Sequence, residues 1–370
     1  MVRSKLRHLL YGVALCLLAP LSQAGDLDST LVRLSELILQ GEFDKATPLA
    51  QEAVTRYPGS RAVQLLAADL ANVSAGRLVS MDPSVSFSPA LLEILNELKK
   101  RRHHAQHRPP AGTLPDVLVQ PAPQTQHIIA VDLHAARLYL LARDDEGHFH
   151  LSEDHYISIG LGGSGKRREG DLRTPVGIYD IDGFKPDRKL PELYGSGAFT
   201  LAFPNHYDRQ RGIDGSGIWL HGMPHDQLSR PPQDSEGCVV MRNDLLEHLY
   251  ALIEPQTTPV ILAEQLNWVP QGTVPVPDTA PWRDDPAVPA GPLAYNGTGL
   301  NALAGLVDKG GEPALEIYRY PTNVNNTETQ LFRVRILQRL AGAPDKADHA
   351  TDQYWSLRDD GQTWRRLDTD

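Results

Sequence analysis

A histidine and a cysteine stand 17 positions apart in this chain, each beside a glycine: Ile218-Trp219-Leu220-His221-Gly222, then Ser235-Glu236-Gly237-Cys238. A thiol is intrinsically nucleophilic, and an imidazole within reach can take its proton, so the two residues have the parts for covalent catalysis. The commonest fate of a lone cysteine is to be buried and inert, so the surroundings must supply the argument. Gly237 permits close approach of a substrate backbone. Ser235 brings a hydroxyl to the same small volume, and His221 ends a stretch that reads as a strand. The imidazole reaches the thiol if the strands carrying them are neighbours. His before Cys is the reverse of the papain-like order, which disfavours that family.

The start of the chain sharpens the question. Arg3, Lys5 and Arg7 precede an apolar run from Leu9 to Leu21, and Ser22-Gln23-Ala24 supplies small residues for cleavage. Residues 1–24 therefore read as an export signal, and the mature protein is expected in the periplasm. The run is shorter than the ~20 residues of a spanning helix. Leu15 precedes Cys16 where a lipoprotein signal has a small residue, so no lipid anchor is expected. An uncleaved membrane anchor is the bland alternative. Cleavage leaves Cys238 as the sole cysteine, unable to form an intramolecular disulfide and in need of another explanation.

Bulk properties narrow the partners. The formal charge of −10 argues against a general nucleic-acid binder, whose surface would be basic. A chain of 370 residues with 41% apolar content has room for two or three globular domains.

Two motifs are decoys. Gly160-Leu161-Gly162-Gly163-Ser164-Gly165-Lys166 resembles a phosphate loop, but Arg167 stands where Ser or Thr must hold magnesium, and more loop follows in place of a helix. His221 and His225 have the spacing of two zinc ligands on a helix. Gly222 and Pro224 oppose a helix there, and the accompanying acid is absent. Neither a metal nor a cofactor is expected.

The elements that must position the pair follow from periodicity. Residues 25–107 read as a helical region. Leu31, Leu34, Leu37 and Ile38 form one stripe, and Ala46, Leu49, Ala50, Ala53 and Val54 the next. Gly41, Phe43, Ala46, Ala53 and Pro58 resemble one tetratricopeptide repeat, a candidate for binding a protein partner; a helical hairpin packed on the rest of the chain explains them equally well. A helix from Pro89 to about His104 ends in the basic run 99–104, read as a solvated helix end. Proline-rich residues 108–125 read as a linker. Between 126 and 264 strand patterns dominate, interrupted by one clear helix, Asp244 to Ile253, so a largely antiparallel β domain is expected. Residues 265–292 read as a second, proline-rich linker. Residues 293–370 read as a small α+β accessory domain with a short helix and strands near 314–320, 331–337, 354–357 and 363–367. Tyr318-Arg319-Tyr320-Pro321 and Trp355…Trp364 there resemble an NTF2-like module.

The residues carry a further resemblance. His221-Gly222, twelve residues, and Ser235-x-Gly237-Cys238 resemble the signature of the YkuD-type L,D-transpeptidase catalytic domain. Upstream, Val131-Asp132 to Tyr139, Glu169-Gly170-Asp171-x-x-Thr174-Pro175-x-Gly177-Ile178-Tyr179 and Phe203-Pro204-Asn205-x-x-Asp208 follow in the family's order. The resemblance implies a β sandwich or barrel over 126–264. It also implies that Cys238 attacks a stem-peptide carbonyl of peptidoglycan to form a thioester, with His221 as general base. Gly222 would orient the imidazole through its carbonyl, amides around Gly237 and Cys238 would stabilise the oxyanion, and Ser235 would support the site. The family's usual arginine two places after the cysteine is Val240 here. Arg242, at an even offset along a strand, would face the same side and could substitute, and Arg173 could pair with substrate carboxylates. The acceptor stays open: transfer to an amine, hydrolysis that releases a cross-link, a terminal residue or a wall-anchored protein, or a non-catalytic wall-binding scaffold.

Overall fold

Two runs without a polar residue, Ile128-Ile129-Ala130-Val131 and Val260-Ile261-Leu262-Ala263, locate the core. A strand with one wet face alternates, whereas one apolar at every position has both faces covered. In the computed structural model these runs are neighbouring strands with every one of those residues buried. It describes residues 19–76, 89–122, 124–255, 257–273, 280–281, 314–321, 329–338, 349–358 and 362–367.

Four helices come first: α1 (Ala19–Leu39), α2 (Phe43–Arg56), α3 (Arg61–Ser74) and α4 (Pro89–Gln106). Strands β1 (Thr113–Pro115) and β2 (Leu118–Gln120) lead to β3 (His127–Asp132), β4 (Arg137–Arg143), β5 (Phe149–Tyr156) and β6 (Ile159–Gly160). Next come β7 (Gly177–Tyr179), β8 (Ile181–Pro186), β9 (Gly197–Leu201), the short helix α5 (His206–Gln210) and β10 (Trp219–His221). Then follow β11 (Gln233–Ser235), β12 (Val239–Val240), helix α6 (Asn243–Leu252), β13 (Val260–Ala263) and β14 (Trp268–Pro270). Strands β15 (Ala314–Arg319), β16 (Thr329–Gln338), β17 (His349–Arg358) and β18 (Trp364–Arg366) complete the series.

The central sheet has the order β5-β4-β3-β13-β7, with β3 and β13 parallel. One face packs Ile129, Val131, Leu138 and Leu262 against Phe199, Leu220 and Val239 of a second sheet, β12-β10-β9-β8, and against Leu245, Leu246 and Leu249 of α6. The other face packs Ile128, Ala130, Tyr139 and Ile261 against Tyr318, Tyr320, Leu331 and Tyr354. Those last residues belong to a third, antiparallel sheet, β18-β17-β16-β15-β2.

That third sheet corrects the reading of the flanking segments. Residues 108–125 are no open linker: β1 pairs with β14, and β2 forms the edge of the C-terminal sheet through Gln120↔Ile317 and Leu118↔Tyr318. In the expected linker 265–292, Trp268–Pro270 is the partner strand of β1. The described part of 293–370 is strand, and the helix expected there lies outside the described residues. Its strands are not a detached module, because they share a core with the central sheet. Arg335 makes the joint polar as well as apolar. Its guanidinium donates to both oxygens of Asp180, at 2.7 Å each, and to both of Asp352 at 2.6 and 2.8 Å.

The helical region also packs on the segment between β10 and β11. Leu31, Leu34, Ala46, Ala50, Leu66 and Leu70 form its core, and Leu228 from the segment between β10 and β11 packs against it. The Leu228 amide donates to the Gly59 carbonyl at 3.0 Å. Asp28 pairs with Arg137 at 3.0 Å and with Arg101, while His104 meets Asp154 at 2.8 Å. The basic end of α4 is therefore split rather than wholly solvated, with Arg101 and His104 buried. Of the expected leader, residues 19–24 begin α1 and residues 1–18 lie outside the described residues. Among the described residues no helix is long and apolar enough to cross a membrane.

Candidate active site

The alternation Ile218, Trp219, Leu220, His221 sorts side chains onto two faces. Ile218 and Leu220 enter the core, and Trp219 and His221 face the other way. Strand β10 pairs in parallel with β12 through Leu220↔Val239 and His221↔Val240. Continuing that register by one residue sets Cys238 against Trp219, whose backbone amide hydrogen-bonds the sulfur and favours its thiolate. Cys238, Val240, Trp219 and His221 thus share one face, with the imidazole and the thiol as diagonal neighbours.

His221 is buried, and its Nδ1 lies 2.6 Å from the Gly222 carbonyl oxygen. A carbonyl only accepts, so Nδ1 carries the proton and Nε2 keeps its lone pair. Burial pushes the imidazole down to about 4; the Gly222 bond works against that shift, and the nearby Arg230 adds to it. Cys238 is a free, partly exposed thiol whose Sγ donates to the Gly217 carbonyl at 3.4 Å. Burial raises its pKa, the Trp219 amide and Lys166 pull it down, and Glu236 pushes it up. The resting pair is a neutral thiol beside a neutral imidazole.

Ser235 and Gly237 shape the turn into Cys238. The Ser235 hydroxyl donates to the Cys238 carbonyl at 2.6 Å and accepts from the Gly237 amide at 3.2 Å. That second bond corrects the expected oxyanion site, since the Gly237 N–H is already engaged. Gly237 has φ +127, and a Cβ there would lie 2.7 Å from the Arg173 carbonyl oxygen. Arg173 therefore meets the turn through its main chain, while its guanidinium donates to Ser164 at 2.8 Å. Arg242 also departs from expectation. Strand β12 stops at Val240, Arg242 is the residue before α6, and its side chain is clasped by Asp244 at 2.9 and 2.8 Å. His225 is exposed and bonded to Glu192 at 2.9 Å. Lys166 of the phosphate-loop decoy is tied to Asp171 at 2.9 Å, and no helix follows it.

Sequence reasoning missed three groups. Tyr194 packs edge-on to His221 with ring centroids 4.9 Å apart and lies 5.1 Å from Trp219. Arg230, in the segment joining β10 to β11 and bonded to Asp234, acts on His221 through its charge. Asn243, freed to reach backwards by its place at the start of α6, accepts from Ser196 and Met223 amides at 3.1 Å each. It also donates to the Met223 carbonyl at 2.8 Å. Gly222 passes so close to Asn243 Oδ1 that a Cβ would collide with it. The only sequence signal for Asn243 was its position at a helix start. Asn243→Ala is expected to remove about 1–3 kcal/mol of stability by stranding these backbone groups. Urea unfolding measures that loss, and an NMR titration should show the His221 pKa climbing toward the ordinary value as the His-Gly turn loosens.

Comparison with known proteins bears directly on this arrangement. Residues 126–262 match the family model of the YkuD L,D-transpeptidase catalytic domain. The matched span contains His221 and Cys238 together with the second sheet and nearly all of the central one. Over 108 residues the chain is 30% identical to "Putative L,D-transpeptidase YafK" of Escherichia coli strain K12, and the same holds for its O157:H7 counterpart. That match covers 28% of this chain and 38% of the relative, so it spans well under half of the relative's length. Among solved structures, Bd1075 of Bdellovibrio bacteriovorus superposes with a TM-score of 0.45 at 21% identity, covering 69% of this chain and 96% of that one. The helical cell shape determining protein Pgp2 of Campylobacter jejuni gives 0.46 at 18% identity, covering 68% and 94%.

Proposed function

We propose that the chain is an exported, periplasmic L,D-transpeptidase acting on peptidoglycan stem peptides through a Cys238 thioester. The parallel pairing of β10 with β12 carries the reading, because it sets a histidine with a fixed tautomer on the same face as the one free thiol among the described residues. The Cys238 sulfur attacks the scissile carbonyl carbon as its proton passes to His221 Nε2. The Cys238 amide is the candidate donor to the oxyanion, a contribution of about 3 kcal/mol for one well-aimed N–H. Collapse of the tetrahedral intermediate breaks the C–N bond, and His221 returns the proton to the departing amine. An amine or a water, deprotonated by the same Nε2, then attacks the thioester and restores the thiol.

The acceptor separates transferase from hydrolase, and both share the acyl-enzyme. Incubating the mature protein with disaccharide-tetrapeptides is expected to give cross-linked dimers when an acceptor amine is present. Shortened monomers alone would assign the site to hydrolysis, and no product at all would favour a wall-binding scaffold.

The protonation state of the base sets the acid limit. His221 must be neutral to accept the thiol proton, and burial holds its pKa at about 4. The rate is therefore lost only as pH falls through that value, and not near the ~6.5 of an ordinary histidine. A pH profile of kcat/KM measures it; an acid limb between 6 and 7 would contradict the buried, neutral base.

A further inference from the structure

A cavity of 380 Å³ lies between the helical region and the sheets, with Val240 and Arg242, two and four residues after Cys238, in its wall. It is more than ten times the ~30 Å³ of one water in the liquid. Leu27, Ile157, Met223, Val240 and Leu245 make most of its wall apolar, and Arg101, Arg230, Arg242 and Ser158 supply polar groups. An apolar hollow of this size with a few convergent polar groups is the usual form of a small-molecule site.

The hydrogen-bonding state of those groups identifies the ligand. The acids in the wall are already matched: Asp28 with Arg101 and Arg137, Asp154 with His104 and Arg137, Glu153 with His155 and His248, and Asp244 with Arg242. Two donor groups in the cavity wall have no hydrogen-bond partner among the described residues, the Ser158 hydroxyl and Arg242 Nη1; Asp28 Oδ1, the third unbonded atom there, is ion-paired with Arg101. Ser158 is 1% exposed, so leaving its hydroxyl unmatched carries a desolvation cost. Both groups can donate and one is cationic. Their complement is an anion that accepts from both, and the apolar wall suits a small aliphatic body attached to it.

We propose that this cavity binds a small aliphatic carboxylate of the size of a peptide's C-terminal residue, with Ser158 Oγ and Arg242 Nη1 as its donors. The helical region supplies one wall through Leu27 and Arg101, so it takes part in recognition. Two sources share this chemistry: the free end of the peptide handled at Cys238, and a separate small acid.

The test uses the full mature chain and its Cys238→Ala variant, so that binding is read whether or not Cys238 is a nucleophile. N-acetylalanine and its methylamide are titrated by calorimetry and by chemical-shift changes. The acid is expected to bind both proteins, with the amide weaker by about tenfold or more, as befits loss of a charge-assisted hydrogen bond. Ser158→Ala and Arg242→Gln should each weaken the acid about tenfold. Ser158→Ala also keeps the test independent of folding, because removing an unmatched hydroxyl should leave Tm unchanged or raised. Equal binding of acid and amide, no binding at millimolar concentration, or an unchanged affinity in a folded Ser158→Ala protein would overturn the assignment. Competition between N-acetylalanine and a stem peptide assigns the site to the substrate's end; simultaneous binding assigns it to a separate acid.

Discussion

Cys238→Ala is expected to lower turnover of disaccharide-tetrapeptides by about 10³-fold or more, since removing a nucleophile leaves only binding and electrostatic contributions. The fold should persist. Cys238 is partly exposed at the turn into β12, and its backbone bond to Ser235 does not need the thiol. Intact mass spectrometry separates the two consequences. The wild-type protein, quenched early, should gain the mass of the acyl group, and the variant should gain nothing while melting at the same temperature. Full activity in the variant would remove every reading built on a thioester. His221→Ala should lower turnover by about 10²–10⁴-fold, the usual contribution of a positioned general base.

Arg335→Ala is expected to destabilise the protein by about 3 kcal/mol, since it strands two carboxylates that are themselves about a quarter exposed. Burial opposes ionisation of Asp352 and the Arg335 guanidinium holds its carboxyl below the usual range, so without Arg335 the carboxyl either stays charged and uncompensated or takes up a proton, and either costs stability. Asp180, the other acceptor, lies between β7 and β8, within the residues matched by the family model. The effect should therefore reach the catalytic layers. In thermal unfolding followed by tryptophan fluorescence, Trp219 reports on the site, and Trp355 and Trp364 report on the C-terminal sheet. One shared transition at lower temperature is expected. A C-terminal sheet melting alone, with the site unaffected, would show the two to be independent.

How much of this the sequence disclosed depended on whether a feature was local. His221-Gly222 and Ser235-x-Gly237-Cys238 are contiguous patterns, and α1, α2, α4 and α6 announce themselves by periodicity, so all were legible. Strand β5 was not, because His150, Glu153, Asp154 and His155 interrupt any apolar run. Strands β1 and β2 are three residues each and flanked by prolines, too short to show a period, and their pairing partners lie about 150 and 200 residues away. Arg242 misled for a related reason: an even offset implies one face only while the strand continues, and this strand ends at Val240. One available signal went unused. The unbroken apolar runs of β3 and β13 demand cover on both faces, and the second cover could only come from elsewhere in the chain. Tyr194, Arg230 and Asn243 reach the site through long-range packing and have no such signature.

A thiol kept in its neutral form also bears on how the sulfur meets oxidants. Peroxides and alkylating reagents attack the thiolate, and susceptibility follows thiolate character. With burial raising the Cys238 pKa and a neutral histidine offering no positive charge, the resting sulfur presents little of the reactive form. Sulfenic acid formation should be slow until a bound ligand draws the proton toward Nε2. Among the described residues Cys238 has no second cysteine beside it to act as a resolving partner once it is oxidised. For such a residue, reactivity that waits for a ligand protects the sulfur between turnovers.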